Sequence, residues 1–174
     1  LGVKPAAVTK IFTQGDLILT ENELDIAIEG DGFLQVELPN GNTSYTRAGA
    51  LKLDSNGRLT NSDGYLITPA ITIPDGARQI TISETGIVSA IIDDDTESTE
   101  LGNIELASFT NDAGLSAIGK NLFEETSASG TPQTGTPGDD GLGTLLQTYL
   151  EGSNVNIVEE LANMITTQRA YEIN

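Results

Sequence analysis

Cysteine, histidine and tryptophan are all missing from the 174 residues. Without cysteine there is no disulfide framework, no thiolate zinc site and no thiol chemistry. Without histidine the chain lacks the commonest general base and the commonest metal ligand. Cations are scarce too: eight Lys and Arg stand against 26 Asp and Glu, a net charge of −18. Such a surface repels nucleic acid and anionic membranes alike. No apolar run approaches the roughly 20 residues of a membrane-spanning helix. A chain of this length buries roughly 70% of its unfolded surface on folding, so its core needs no covalent staple. The opening Leu1-Gly2-Val3-Lys4-Pro5 has neither an initiator Met nor the pattern of a signal peptide, as expected of a piece of a longer chain.

What is present is alternation. Leu24, Ile26 and Ile28 alternate with Asp25, Ala27 and Glu29; Leu34, Val36 and Leu38 alternate with Gln35 and Glu37. Turn residues punctuate these runs at Pro39-Asn40-Gly41-Asn42, Asp54-Ser55-Asn56-Gly57, Asn61-Ser62-Asp63-Gly64, Pro74-Asp75-Gly76 and Glu84-Thr85-Gly86. Asn-Gly and Asp-Gly supply the positive φ of tight hairpins, and β-branched runs fit a half-buried sheet. The spacing predicts a mainly β domain over residues 24–152, an antiparallel sandwich or barrel-like assembly of short hairpin strands. Residues 1–23 are expected to be an extended leading segment. Ile26, Val36, Leu53, Ile73 and Ile82 are the expected core, and Ile87–Ile92 a further strand. Asp93 to Glu100 reads as a solvated acidic break. The Gly- and Pro-rich stretch 127–143 has no apolar periodicity and reads as an extended surface loop, followed by a last strand over Leu145–Glu151.

The final segment, 153–174, changes period. Asn156 and Glu159 suit a capping box, and Glu159 and Glu160 suit the positive end of a helix dipole. Ile157, Val158, Leu161, Met164, Ile165, Gln168 and Tyr171 recur at helical spacing, with Arg169 near the far end. The pattern stops at Asn174 without a terminator, which predicts an amphipathic helix cut short.

Candidate chemistry is thin. Gly30-Asp31-Gly32 begins like a dinucleotide fingerprint, but Gln35 stands at the third glycine and the flanks read as strands, so a bend is expected. Asp54, Asn56 and Gly57 open like a calcium loop, but the glycine comes two residues early and no helices flank it; a β-turn fits better. A carboxylate-pair hydrolase needs only two acids at a set separation, yet no pair is marked as buried, and aromatics for a sugar platform number four Tyr and four Phe. No Ser-x-x-Lys or P-loop pattern occurs. The residues imply no catalytic site, no metal and no cofactor.

Several stretches carry a resemblance. Gly2-Val3-Lys4-Pro5 with Ile11-Phe12-Thr13-Gln14-Gly15, then the run Asn22-Glu23-Leu24-Asp25-Ile26-Ala27-Ile28-Glu29-Gly30-Asp31-Gly32-Phe33, and Tyr45-Thr46-Arg47-Ala48-Gly49 resemble the flagellar axial proteins of bacteria. Ser153-Asn154-Val155-Asn156 and Gln168-Arg169-Ala170-Tyr171-Glu172 are similar to that family's C-terminal helix motif. The matches run in order along nearly the whole chain and are closest to the distal rod members. Glu21, where the family often has Gly, and Leu34, where it often has Phe, are small departures. The resemblance implies a structural, non-enzymatic subunit that polymerises into the tubular drive shaft carrying torque to the hook. It further implies export through the flagellum's own channel and a place in the basal body, within the periplasm of two-membrane bacteria. Other rod subunits, the proximal rod, the hook protein and the surrounding rings are the implied partners. The C-terminal stripe (Ile157, Val158, Leu161, Met164, Ile165, Gln168, Arg169, Tyr171) is the expected assembly surface. The competing reading is a carbohydrate- or peptidoglycan-interacting β domain, a carboxylate-pair hydrolase or lectin-like module; neighbouring carboxylates in a concave pocket beside Tyr45 or Tyr65 would favour it.

Overall fold

A computed structural model describes residues 12–153 of the chain. Among them lie sixteen short strands and one 3-10 turn, Asp112–Gly114. The strands are β1 (Leu17–Leu19), β2 (Ile26–Glu29), β3 (Phe33–Glu37), β4 (Thr43–Thr46), β5 (Lys52–Leu53), β6 (Leu59–Thr60), β7 (Leu66–Ile67) and β8 (Ala77–Ile82). They continue as β9 (Ile87–Ile92), β10 (Ser98–Asn103), β11 (Leu106–Ser108), β12 (Ser116–Gly119), β13 (Leu122–Glu124), β14 (Gln133–Gly135), β15 (Thr144–Gln147) and β16 (Tyr149–Glu151).

Every expected turn joins two extended runs. Gly41, Gly57, Gly64 and Gly86 each donate an N–H to the carbonyl three residues back, closing a β-turn at 2.9–3.1 Å. All four have φ between 78° and 90°, the left-handed step by which such turns feed the next strand. At Gly57 a side chain is doubly excluded, since a Cβ there would stand 2.4 Å from the Ile73 carbonyl oxygen.

The strands form a nine-stranded sheet with the path β12-β13-β4-β3-β7-β6-β5, to which β11 and β14 attach, a three-stranded sheet β10-β9-β8, and the ribbons β15-β2 and β1-β16. All the strand pairs are antiparallel, and the sheets stay open instead of closing into a barrel. The two larger sheets and the β15-β2 ribbon share a main apolar core that includes Ile26, Ile28, Leu34, Val36, Leu59, Ile71, Val88, Leu106 and Leu145. The outer edge of β8 is blunted by side chains: Ile80 N–H donates to Glu23 (3.1 Å) and Ile82 N–H to Gln147 (3.1 Å). Capping an edge in this way removes a template for unwanted strand pairing.

Ile26, Val36, Ile73 and Ile82 are buried as the alternation predicts, but Leu53 is 40% exposed. It sits on β5, the terminal strand of its sheet, where no further strand covers it, and Leu51 takes the inside place. The stretch 127–143 is also more than a surface loop. It contains β14, paired with β11, and it buries Ser129, Pro137 and Leu142. Hydrogen bonds in place of apolar periodicity hold it: Gly143 N–H donates to the Asp31 carbonyl (2.8 Å) and Gly138 N–H to that of Gly143 (2.9 Å). The expected strand over Leu145–Glu151 is divided by Thr148, whose φ is 70°. Asp93 to Glu100 is exposed throughout, and its last three residues open β10.

Candidate assembly site

The motif residues of the leading half converge on one side chain. Arg47, just past β4, donates to the carbonyls of Gly30 (2.7 Å), Gly32 (2.9 Å) and Ile28 (3.0 Å). The same guanidinium forms an ion pair with Glu151 at the end of β16. Gln14 closes the cluster: its amide nitrogen donates to Glu151 (2.9 Å), and its Oε1 accepts Gly30 N–H (2.8 Å). Gly152 N–H donates to the Asp16 carbonyl at 2.6 Å. A planar fork with five donors suits this task, since it can serve several carbonyls and a carboxylate at once. The two ends of the described chain, residues 14–16 and 151–152, are thereby clasped together over the bend between β2 and β3.

Each motif position has a local reason. Asn22 makes an Asx turn, its Oδ1 accepting Leu24 N–H at 3.1 Å. The Asp25 carbonyl accepts Thr148 N–H (2.8 Å), and Ile28 is buried in the core. The bend Gly30-Asp31-Gly32 presents its carbonyls to Arg47, as just described. Thr46 Oγ1 accepts Ala48 N–H (3.0 Å) and shapes the turn that aims Arg47. Gly49 lies against β2, where a Cβ would fall 1.8 Å from the Ile26 carbonyl oxygen. Phe33 and Tyr45 fill a second, aromatic core with Phe12, Phe109 and Phe123. Phe12 meets Phe33 edge-on at 5.4 Å and Phe123 at 5.1 Å, so the leading segment is anchored by packing as well as by the clasp.

Tyr45 is buried with its ring 4.8 Å from that of Phe109, which removes it as a surface platform for sugars. Burial, and then the nearby charge of Glu125, push its hydroxyl pKa up. Tyr65 is half-buried against the main core, with the Lys120 ammonium 5.8 Å from its ring centroid. Among the described residues no three acidic side chains gather as metal ligands would.

Gln14, Glu151, Phe12, Phe109 and Phe123 were not singled out as site residues by sequence. Phe12 and Gln14 carry the signal of the leading motif, and Arg47 is among only eight cations; Glu151, Phe109 and Phe123 carry no local signal. Asn154, Asn156, Ile157, Val158, Leu161, Met164, Ile165, Gln168, Arg169 and Tyr171 lie outside the described residues.

Residues 27–90 match the family described as the flagellar hook protein FlgE/F/G D1 domain, and residues 146–174 match the flagellar basal body rod FlgEFG protein C-terminal family. The flagellar basal-body rod protein FlgG of Borreliella burgdorferi is 53% identical over 99% of this chain and 66% of its own length. The FlgG of Agrobacterium fabrum is 49% identical over 100% of the chain and 66% of its own length. That of Bacillus subtilis is 37% identical, again over 100% of the chain and 67% of its own length. The chain thus spans about two thirds of the curated relatives it matches. The family matches and the full-chain identity agree: the chain belongs to the flagellar rod and hook protein family, among its basal-body rod proteins.

Proposed function

We propose that this chain is part of a structural subunit of the distal rod, the shaft that carries torque to the hook. The observation that carries the reading is the clasp. A subunit that transmits torque must pass force between its end segments and its β unit without slack. The Arg47 fork locks both ends of the β unit to the β2–β3 bend, and the aromatic cluster around Phe12 stiffens the same junction. Copies of itself, the proximal rod, the hook protein and the surrounding rings are the proposed partners. Export through the flagellar channel, with the rod lying in the periplasm of two-membrane bacteria, completes the reading. Identity to rod proteins along the full chain supports it.

The test is Arg47→Met in the complete rod protein. Arg47 and Glu151 side chains are only 17% and 10% exposed, so the substitution strands a largely buried carboxylate. A loss of about 3 kcal/mol at the junction is expected, with the β unit still melting cooperatively and swimming strongly reduced. Normal swimming by a variant with a loosened junction would sink the proposal.

A further inference from the structure

Asn-Gly occurs twice in the chain, at Asn40-Gly41 and at Asn56-Gly57, each time in a turn. The asparagine amide is a thermolabile group, and a following glycine has no side chain to shield its backbone nitrogen from it. Ring closure joins that nitrogen to the asparagine Cγ. The new C–N bond replaces the Cγ–Nδ2 bond, and the amide nitrogen leaves as ammonia with the proton of the glycine N–H. Water then opens the five-membered succinimide at either carbonyl. An aspartyl residue results, or an isoaspartyl residue whose main chain is one carbon longer. One water is taken up and one ammonia given off, so no oxidant or reductant is needed.

The fold treats the two sites differently. Asn40, Gly41 and Asn42 are all exposed at the tip between β3 and β4, and nothing lies within 4 Å of the Cβ position on Gly41. Asn42 N–H donates to Asn40 Oδ1 at 2.9 Å. The carbonyl under attack thus already has a donor on the oxygen where negative charge develops. Asn56 is exposed as well, but its glycine is held. A Cβ on Gly57 would stand 2.4 Å from the Ile73 carbonyl oxygen, and the Gly57 carbonyl accepts Ile73 N–H at 2.7 Å. The Asp54 carboxylate takes the N–H groups of Asn56 (2.9 Å) and Arg58 (2.8 Å), which pins the turn on both sides of the ring to be closed. The two glycine N–H groups are engaged alike, Gly41 by the Leu38 carbonyl at 2.9 Å and Gly57 by that of Asp54 at 3.0 Å. The difference lies in the polarised carbonyl and in the freedom of the peptide to rotate.

We propose that Asn40 is a self-modification site, converted to aspartyl and isoaspartyl forms in the β3–β4 turn while the β5–β6 turn protects Asn56. The isoaspartyl form lengthens the loop that Leu38 N–H closes on the Asn42 carbonyl at 2.8 Å. Strand β3 pairs with β4, β7 and β11, so loosening its turn loosens the middle of the large sheet. Each subunit in this way carries a chemical record of its age. Nothing in the inference depends on the rod reading.

The test follows peptide masses of the 174-residue chain held in mildly alkaline buffer, folded in one arm and in concentrated urea in the other. In the folded arm the peptide containing residue 40 should show amide-to-acid conversion about tenfold faster than the peptide containing residue 56. In urea the two should convert at similar rates, since only the Asn-Gly step then counts. The isoaspartyl fraction, separated by chromatography, should unfold at a lower urea midpoint than the unconverted chain. Equal rates in the folded arm, faster conversion at residue 56, or a ratio that urea leaves unchanged would each overturn the proposal. An unchanged midpoint would overturn its consequence for the sheet.

Discussion

Ser44 on β4 is fully buried, and its hydroxyl lacks a hydrogen-bond partner among the described residues. A stranded hydroxyl costs its desolvation, so Ser44→Ala should raise stability by about 1 kcal/mol, read as a shift in the urea midpoint. Two carboxylates set opposite pH dependences. Asp54 accepts N–H groups of Arg58 (2.8 Å) and Asn56 (2.9 Å) and the Arg58 Nε (2.9 Å). The Arg58 backbone bond is the largest cause holding its pKa below the ordinary value. Its folded pKa therefore lies under the unfolded one, and its contribution is present above about pH 4 and lost as acid titrates the folded group. Asp112 is raised instead, by burial first and by Asp31 second, with Arg47 opposing. Its ionisation is therefore unfavourable to folding as pH rises through its folded pKa. Asp54→Asn should flatten the acid limb of a stability-against-pH curve, whereas Asp112→Asn should stabilise the protein at neutral pH. At this scale the sequence marks Arg47 and Gln14 only as members of separate motifs, and Glu151 only as the end of a strand. Gln14 and Glu151 lie 33 and 104 residues from Arg47, and a contact across that separation leaves no local periodicity to read.

Thr148 is where one run of chain serves two sheets. Its N–H donates to the Asp25 carbonyl at 2.8 Å, and its own carbonyl accepts Thr20 N–H at 2.7 Å, so β15 stays with β2 while β16 departs to pair with β1. A β-branched residue at φ 70° is strained by roughly 1–2 kcal/mol. Thr148→Asn, which tolerates that backbone and keeps both main-chain bonds, should raise the melting temperature by a few degrees, equivalent to about 1 kcal/mol. The switch was invisible in sequence because apolar residues continue across it, from Leu145 and Leu146 to Tyr149 and Leu150. The hairpins, by contrast, were legible because an Asn-Gly or Asp-Gly step dictates its own backbone. Residues 127–143 escaped for a third reason: β14 is held by its ladder to β11, and a polar Gly- and Pro-rich sequence can satisfy a ladder without signalling a strand.

Across the whole molecule, the proposed assembly stripe and the β unit occupy different parts of the chain. Leu161→Asp or Ile165→Asp in the complete rod protein should block rod assembly, because an unpaired carboxylate buried in a packed seam costs about 3 kcal/mol or more. The β unit should keep its circular dichroism and cooperative melt. Asp94→Asn and Asp95→Asn should swim nearly as wild type, since both positions are exposed on the β9–β10 turn. If motility is lost in the Asp variants of that turn and kept in those of the stripe, the acidic turn is the assembly element. Mainly β architecture and family were readable from the sequence, because they rest on alternation, turns and ordered motifs; the clasp was not, because it exists only once distant ends have met. That meeting has a consequence for how such proteins diversify. Residues 14–16 and 151–152 stand together, so everything between them is a closed excursion from a single point. Material inserted or exchanged within it leaves the spacing of its two ends unchanged, as with tolerated domain insertions. The β unit is in this sense a cassette, and lengthening it at an exposed turn such as Asp93–Glu97 would remodel the outside of a subunit without disturbing how its ends are set.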